Sequence, residues 1–261
     1  MAEPVLLAID SRGIATATLN RPEVGNAYNE AMLLGLIGGL ESLAKDNAVR
    51  ALVVRGAGRH FAAGADINWL AEVSGYPPPR AYECSYATTL AMTRLNEFHR
   101  PTFAVIQGAC FGGGFGIACC VDVALATPAA LFGITEVRVG VAATPISTHM
   151  VNAIGLRQTR RYALTGERFG PEEALRIGLV HEVVAADAIE ARLAHILDET
   201  MKSSPAAVAL TKHSFLSANG LTLDERQMQM LSHEGWTIRA TAEAQEGLAA
   251  FRARRAPAWT R

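Results

Sequence analysis

Hydrophobic and polar positions divide this chain into a strand-rich first part and a helix-rich second part. Residues 5–9 and 14–19 alternate or run apolar on either side of Ser11-Arg12-Gly13, which predicts a hairpin. A helix follows over about 30–44, with Asn29 as its N-cap. Gly35, Gly38 and Gly39 weaken that helix and imply close packing against it. The apolar run 49–55 reads as a strand closed by Gly56-Ala57-Gly58, and 66–73 as a short helix. Ser74-Gly75-Tyr76-Pro77-Pro78-Pro79 reads as a non-helical loop before a helix over 81–98, which stops before Pro101. A strand over 103–106 leads through glycines to a buried helix ending near 120, and short strands follow at 122–126 and 130–132. After Pro145 helices dominate, at 157–164, 171–176, 188–201, 205–216, 223–237 and 242–254. The recurring unit is two strands and a helix with no long linker. It predicts an α/β core over 1–195, which carries the site, and a helical C-terminal region over 196–261.

Composition narrows the function classes. The 261 residues are 50% hydrophobic, enough for a sizeable core, and the formal net charge is -1. No basic bias points to nucleic acid or to an anionic membrane surface. The first ten residues do not resemble a signal peptide, and no apolar run approaches the roughly 18 residues that span a bilayer. Cys84, Cys110, Cys119 and Cys120 form no CxxC pair and read as small core residues, so a reducing cytoplasm is expected. The chain has no GxGxxG, no Gly-Lys-Ser/Thr, no HExxH and no GxSxG. Its histidines lack ligand-like spacing, so no metal is expected.

The glycine cluster Gly112-Gly113-Gly114-Phe115-Gly116 marks a place where backbone comes very close to something. A helix starting there offers unpaired N–H groups and a partial positive charge, which suit an anion or a developing oxyanion. A tight strand-to-helix turn without a ligand is the plain alternative. A second loop of small residues, Phe61-Ala62-Ala63-Gly64-Ala65-Asp66-Ile67, follows another apolar strand.

Together these two loops resemble those of the enoyl-CoA hydratase/isomerase, or crotonase, family. The likeness extends along the chain: Leu19-Asn20-Arg21-Pro22-Glu23 with Asn26-Ala27; Phe132-Gly133-Ile134-Thr135-Glu136; Leu164-Thr165-Gly166-Glu167 with Ala174 and Gly178-Leu179-Val180; and Glu246 to Phe251. The resemblance implies a crotonase-like spiral of ββα units, with a helical region that builds a homotrimer or a hexamer of two trimers. It implies an acyl-CoA substrate and no cofactor beyond the coenzyme A of that substrate. By motif position, the N–H groups of Ala65 and Gly113 would hold the thioester oxygen and Glu136 would move the proton. Ala63, Asp66, Ile67 and Phe251 would contact coenzyme A. Arg21 or Arg254 could meet its phosphates, although a solvated arginine is the plainer reading of each, and Asp66 could equally be an early-helix acid.

The chain departs from the family pattern at Gly116, where typical hydratases of the family carry a second glutamate. Three readings follow: a hydratase in which Glu136 makes both proton transfers through one water, a Δ3-Δ2-enoyl-CoA isomerase using Glu136 alone, or a non-catalytic acyl-CoA binder. Thr144, Ser147 and His149 are candidate polar helpers by position. The stretch from Ile146 to Phe169 resembles a bacterial subgroup that hydrates branched glutaconyl-type esters and also tends to have glycine at this point. That favours the hydratase. Ala142-Ala143-Thr144-Pro145 departs even from that subgroup. A distal carboxylate on such a substrate would want a cation near 72–80 or at Arg138.

Overall fold

A computed structural model describes residues 3–139 and 142–218, with positions 242, 246, 253, 255 and 258 beyond them. The expected hairpin forms from β1 (Val5–Ile9) and β2 (Ile14–Leu19), antiparallel with Leu7 opposite Ala17. Its turn is held by the Asp10 carboxylate, which accepts from the N–H groups of Arg12 and Ile14, each at 2.9 Å. Helix α1 (Glu30–Lys45) is capped as expected, the Asn29 side chain accepting from the Met32 N–H at 3.1 Å. Of its glycines, Gly39 lets Leu7 come close, since a Cβ there would lie 3.0 Å from a Leu7 methyl, whereas Gly38 has nothing within 4 Å.

Next come β3 (Ala51–Gly56), α2 (Ile67–Ser74) and α3 (Pro78–Asn96). Here the prolines correct the sequence reading: Pro78 and Pro79 are helical. They occupy the first turn of α3, where the N–H that proline lacks has no intrahelical partner, and Pro77 is the N-cap. Strand β4 (Thr102–Ile106) follows, then β5 (Ala109–Phe111), α4 (Gly113–Cys120), β6 (Val123–Ala126) and β7 (Leu131–Gly133). Two short 3-10 turns, Glu136–Val139 and Thr144–Ile146, lead into α5 (Ser147–Thr165), broken at Gly155, where φ is 74°. The last described elements are β8 (Arg168–Phe169), α6 (Pro171–Arg176), β9 (Glu182–Val183), α7 (Ile189–Met201) and α8 (Pro205–Ala218). Of the predicted C-terminal helices, 223–237 lies outside the described residues, as does 242–254 apart from isolated positions.

Two sheets result. The larger runs β1-β2-β3-β4-β6-β9, parallel from β2 onward, and the smaller runs β5-β7-β8. The chain steps from one sheet to the other and then into a helix: β4, β5, α4, then β6, β7 and α5. This is the ββα spiral that the motifs implied. The parallel strands β3, β4 and β6 of the large sheet are buried on both faces, as parallel sheets are, while the edge strand β1 is mostly exposed. Leu52, Val54, Ala104 and Ile106 share the main core with Leu33, Met92 and Phe115, while Ala51, Val53, Phe103 and Val105 pack with Ile189, Leu193 and Leu197 of α7. None of the described helices is long and apolar enough to cross a membrane.

Candidate active site

The two small-residue loops meet. The loop after β3 lies alongside β5, the Ala62 N–H donating to the Ala109 carbonyl at 3.0 Å and the Phe111 N–H to the Ala62 carbonyl at 2.9 Å. This brings Gly64 (φ +100°) against Gly112 (φ +51°), where a Cβ on Gly112 would lie 3.5 Å from the Gly64 Cα. Both residues have left-handed backbones, which a side chain would strain. Ala65 and Gly113 each follow one of these glycines.

Ala65 is bridged to Tyr28 through its neighbours, the Tyr28 N–H donating to the Gly64 carbonyl and the Asp66 N–H to the Tyr28 carbonyl, both at 2.8 Å. The N–H of Ala65 itself therefore points away from Tyr28. Gly113 opens α4, so its N–H has no intrahelical acceptor. Neither N–H takes a backbone partner among the described residues.

Glu136 is carried to the same place by β7. The Gly133 carbonyl accepts from the Gly112 N–H at 3.0 Å, and the chain then turns into the short 3-10 helix that begins at Glu136. The carboxylate lies against bare backbone, for a Cβ on Gly112 would be 2.8 Å from Oε1. Oε2 is buried with no hydrogen-bond partner among the described residues. Burial raises the pKa of Glu136, opposed by its own N–H and that of Thr135. The apolar neighbours in sequence contribute unequally: Phe132 and Ile134 are buried, but Val137 is exposed.

These groups line one cavity of about 440 Å³, together with Ala63 and Ile67. Asp66 stands elsewhere. It caps α2 by accepting from the Asn68 N–H at 3.0 Å and pairs with Arg21 at 2.8 Å. Arg21 also donates to the Ala27 carbonyl, so both charges are engaged within the protein. Phe251 and Arg254 lie outside the described residues, as does the side chain of Arg138. Of the candidate helpers only Thr144 lines the cavity. Ser147 donates to the Thr144 carbonyl at 2.8 Å, and His149 is buried away from the cavity.

The glycines of α4 do separate jobs. Gly113 lies against the Tyr28 ring, Gly114 abuts the Ala62 backbone, where a Cβ would lie 2.5 Å from the carbonyl oxygen, and Gly116 faces Ile146. Bare backbone at Gly114 therefore serves packing rather than a thioester.

Tyr28, Trp69, Ser85 and Thr88 also line the cavity, which the sequence did not reveal, and so does Cys84, which reads from sequence only as a core residue. Tyr28 had one local signal, an aromatic directly after Asn26-Ala27. Tyr28 and Trp69 meet edge to face with ring centroids 5.8 Å apart. Among the described residues no group of three or more His, Cys, Asp or Glu is placed to hold a metal, and Cys84, Cys110, Cys119 and Cys120 are free thiols.

Comparison with known proteins gives one consistent picture. The family model described as enoyl-CoA hydratase/isomerase matches residues 10–261. The (E)-benzylidenesuccinyl-CoA hydratase of Thauera aromatica is 33% identical over 263 residues, covering 98% of each chain. Among solved structures, AtuE of Pseudomonas aeruginosa superposes with a TM-score of 0.95 at 37% identity, over 99% of this chain and 100% of its own. An enoyl-CoA hydratase from Shewanella pealeana gives 0.94 at 31% identity, over 98% and 96%.

Proposed function

Since the chain belongs to the enoyl-CoA hydratase/isomerase family, we propose that it is a hydratase adding water across the C2–C3 double bond of a 2-enoyl-CoA thioester. The observation that carries this reading is the convergence of the Ala65 and Gly113 backbones and the buried Glu136 carboxylate on one cavity. Attack at C3 moves charge onto the thioester oxygen. Two fixed N–H donors favour that enolate over the ground state, and losing one such donor typically costs about 3–4 kcal/mol of barrier. Glu136 takes a proton from the water and returns it at C2. Its raised pKa suits both transfers.

Hydration involves no net oxidation or reduction, so the reaction needs no cofactor beyond the coenzyme A of the substrate. Trp69, Leu70, Val73 and Ile146 make the acyl wall largely apolar, which suits a hydrocarbon chain, and we assign a branched one. Ala63 and Ile67, at the loop end of the cavity, would meet coenzyme A, with Phe251 closing over it. The assembly that goes with this reading is a homotrimer or a dimer of trimers. Leu164 and Phe215, 70% and 72% exposed, are apolar surface that it would cover. We assign the enzyme to the cytoplasm, which its free thiols suit.

The test is product mass from straight and branched 2-enoyl-CoA and 3-enoyl-CoA esters. Gain of one water on a 2-enoyl ester, lost in Glu136→Gln, is the expected result. Conversion of a 3-enoyl ester to a conjugated one at constant mass would replace this reading with an isomerase. Tight ester binding without turnover would leave a binding protein.

A further inference from the structure

We propose that Tyr28, which shares the cavity with Glu136, holds the attacking water together with it, in place of a carboxylate at position 116. The proposal rests on the hydratase reading above. A water adds to C3 through a lone pair, and that lone pair is aimed only when both hydrogens are given to fixed acceptors. Glu136 supplies one acceptor, the buried Oε2 that lacks a partner. Position 116 cannot supply the other. A Cβ on Gly116 would already lie 2.6 Å from Ile146 Cγ2 and 3.3 Å from the Met92 sulfur, so that space is filled by hydrocarbon and thioether.

Tyr28 is a polar side chain of the cavity held on several sides. Its ring lies so close to Gly113 that a Cβ there would be 2.3 Å from Cε1, and its edge contact with Trp69 holds the other side. Its backbone is pinned by the bonds to Gly64 and Asp66. Thr88, which lines the cavity with Tyr28, donates its proton to the Cys84 carbonyl at 3.3 Å. The phenol oxygen carries two lone pairs and can accept a hydrogen from a bound water. Burial, and then the charge of Glu136, keep the phenol protonated, so it acts by hydrogen bonding and not as a base.

The step balances. A lone pair of the water forms the O–C3 bond, and the C2–C3 π pair moves toward the thioester oxygen as an enolate. One water proton passes to Glu136 and is then taken up at C2, which restores the carboxylate. Tyr28 gains and loses no proton. The hydrogen it holds stays on the product hydroxyl.

The test is Tyr28→Phe, which deletes one oxygen and keeps the ring. Two rates are measured on wild type and variant: hydration of a 2-enoyl-CoA, and exchange of the C2 hydrogens of the matching saturated acyl-CoA in D2O. Exchange uses the same oxyanion donors and Glu136 but no attacking water. The expected result is a fall in hydration kcat of about 10- to 100-fold with KM and exchange retained. An equal fall in both rates would overturn the proposal, because the ring would then be serving only to support Gly113. A rise in KM at constant kcat, or wild-type hydration in the variant, would overturn it as well. A wild-type protein that hydrates no ester would overturn the hydratase reading and this proposal together.

Discussion

Ile146 stands where a side chain on Gly116 would go. The two are brought together by α4 and by the 3-10 turn that precedes α5, and the nearest Ile146 methyl would be 2.6 Å from a Cβ on Gly116. Both residues are buried. Packing therefore excludes a carboxylate at this position.

Gly116→Glu should accordingly fail to enhance hydration and should destabilise the fold. Overpacking alone costs about 1–3 kcal/mol, and an unpaired buried charge adds to it. Thermal melting should fall by several degrees. A variant that melts with the wild type and hydrates faster would show that Ile146 yields.

Glu136→Gln should separate stability from activity. Burial raises the folded-state pKa of Glu136, so ionisation costs stability as pH climbs from the unfolded-state value through the folded one. The glutamine variant lacks that cost. Its stability relative to wild type should be greatest at neutral pH and should shrink below the ordinary carboxylate range, as read from denaturant midpoints. Wild-type hydration should rise with pH through the raised pKa, and the variant should lose about 10²- to 10⁴-fold in rate. A glutamine variant less stable than wild type at neutral pH would contradict an unpaired Oε2.

Asp66→Asn tests whether that residue serves the fold or the coenzyme. Burial pushes the Asp66 pKa up, but the bond from Arg21 and the Asn68 N–H outweigh it and hold the pKa low. The stability this adds is present above the unfolded-state pKa and lost as pH falls through the folded one. The substitution should cost about 1–3 kcal/mol at neutral pH with little change in KM. A large rise in KM at unchanged stability would return Asp66 to the nucleotide site.

What was legible in the sequence was local chemistry. Asn29 and Asp66 announce helix starts because a cap acts within three residues, and the apolar runs announce strands because both sheet faces are buried. The three prolines misled because their effect depends on which one falls in the first turn of α3. Ala65, Gly113 and Glu136, which the family motifs single out, line one cavity. Tyr28 and Ile146 stayed hidden because their importance lies in distant partners, Gly113 and Gly116. The one local signal, an aromatic directly after Asn26-Ala27, does not say which glycine Tyr28 meets, and Ile146 has none. The 3-10 turns and the two-residue strands β8 and β9 are too short for any periodicity to reveal.

The meeting of Gly64 with Gly112 has a consequence for how the site comes into being. Ala65, Gly113 and Glu136 lie on successive passes of the spiral, and no single hairpin or helix holds any two of them in place. Their registration depends on parallel pairings between strands far apart along the chain, and such pairings close slowly. A chain with its helices formed and its passes unpaired would show helical content but no turnover. Catalytic competence is in this sense the last property the fold acquires, and the first it loses when the stack loosens.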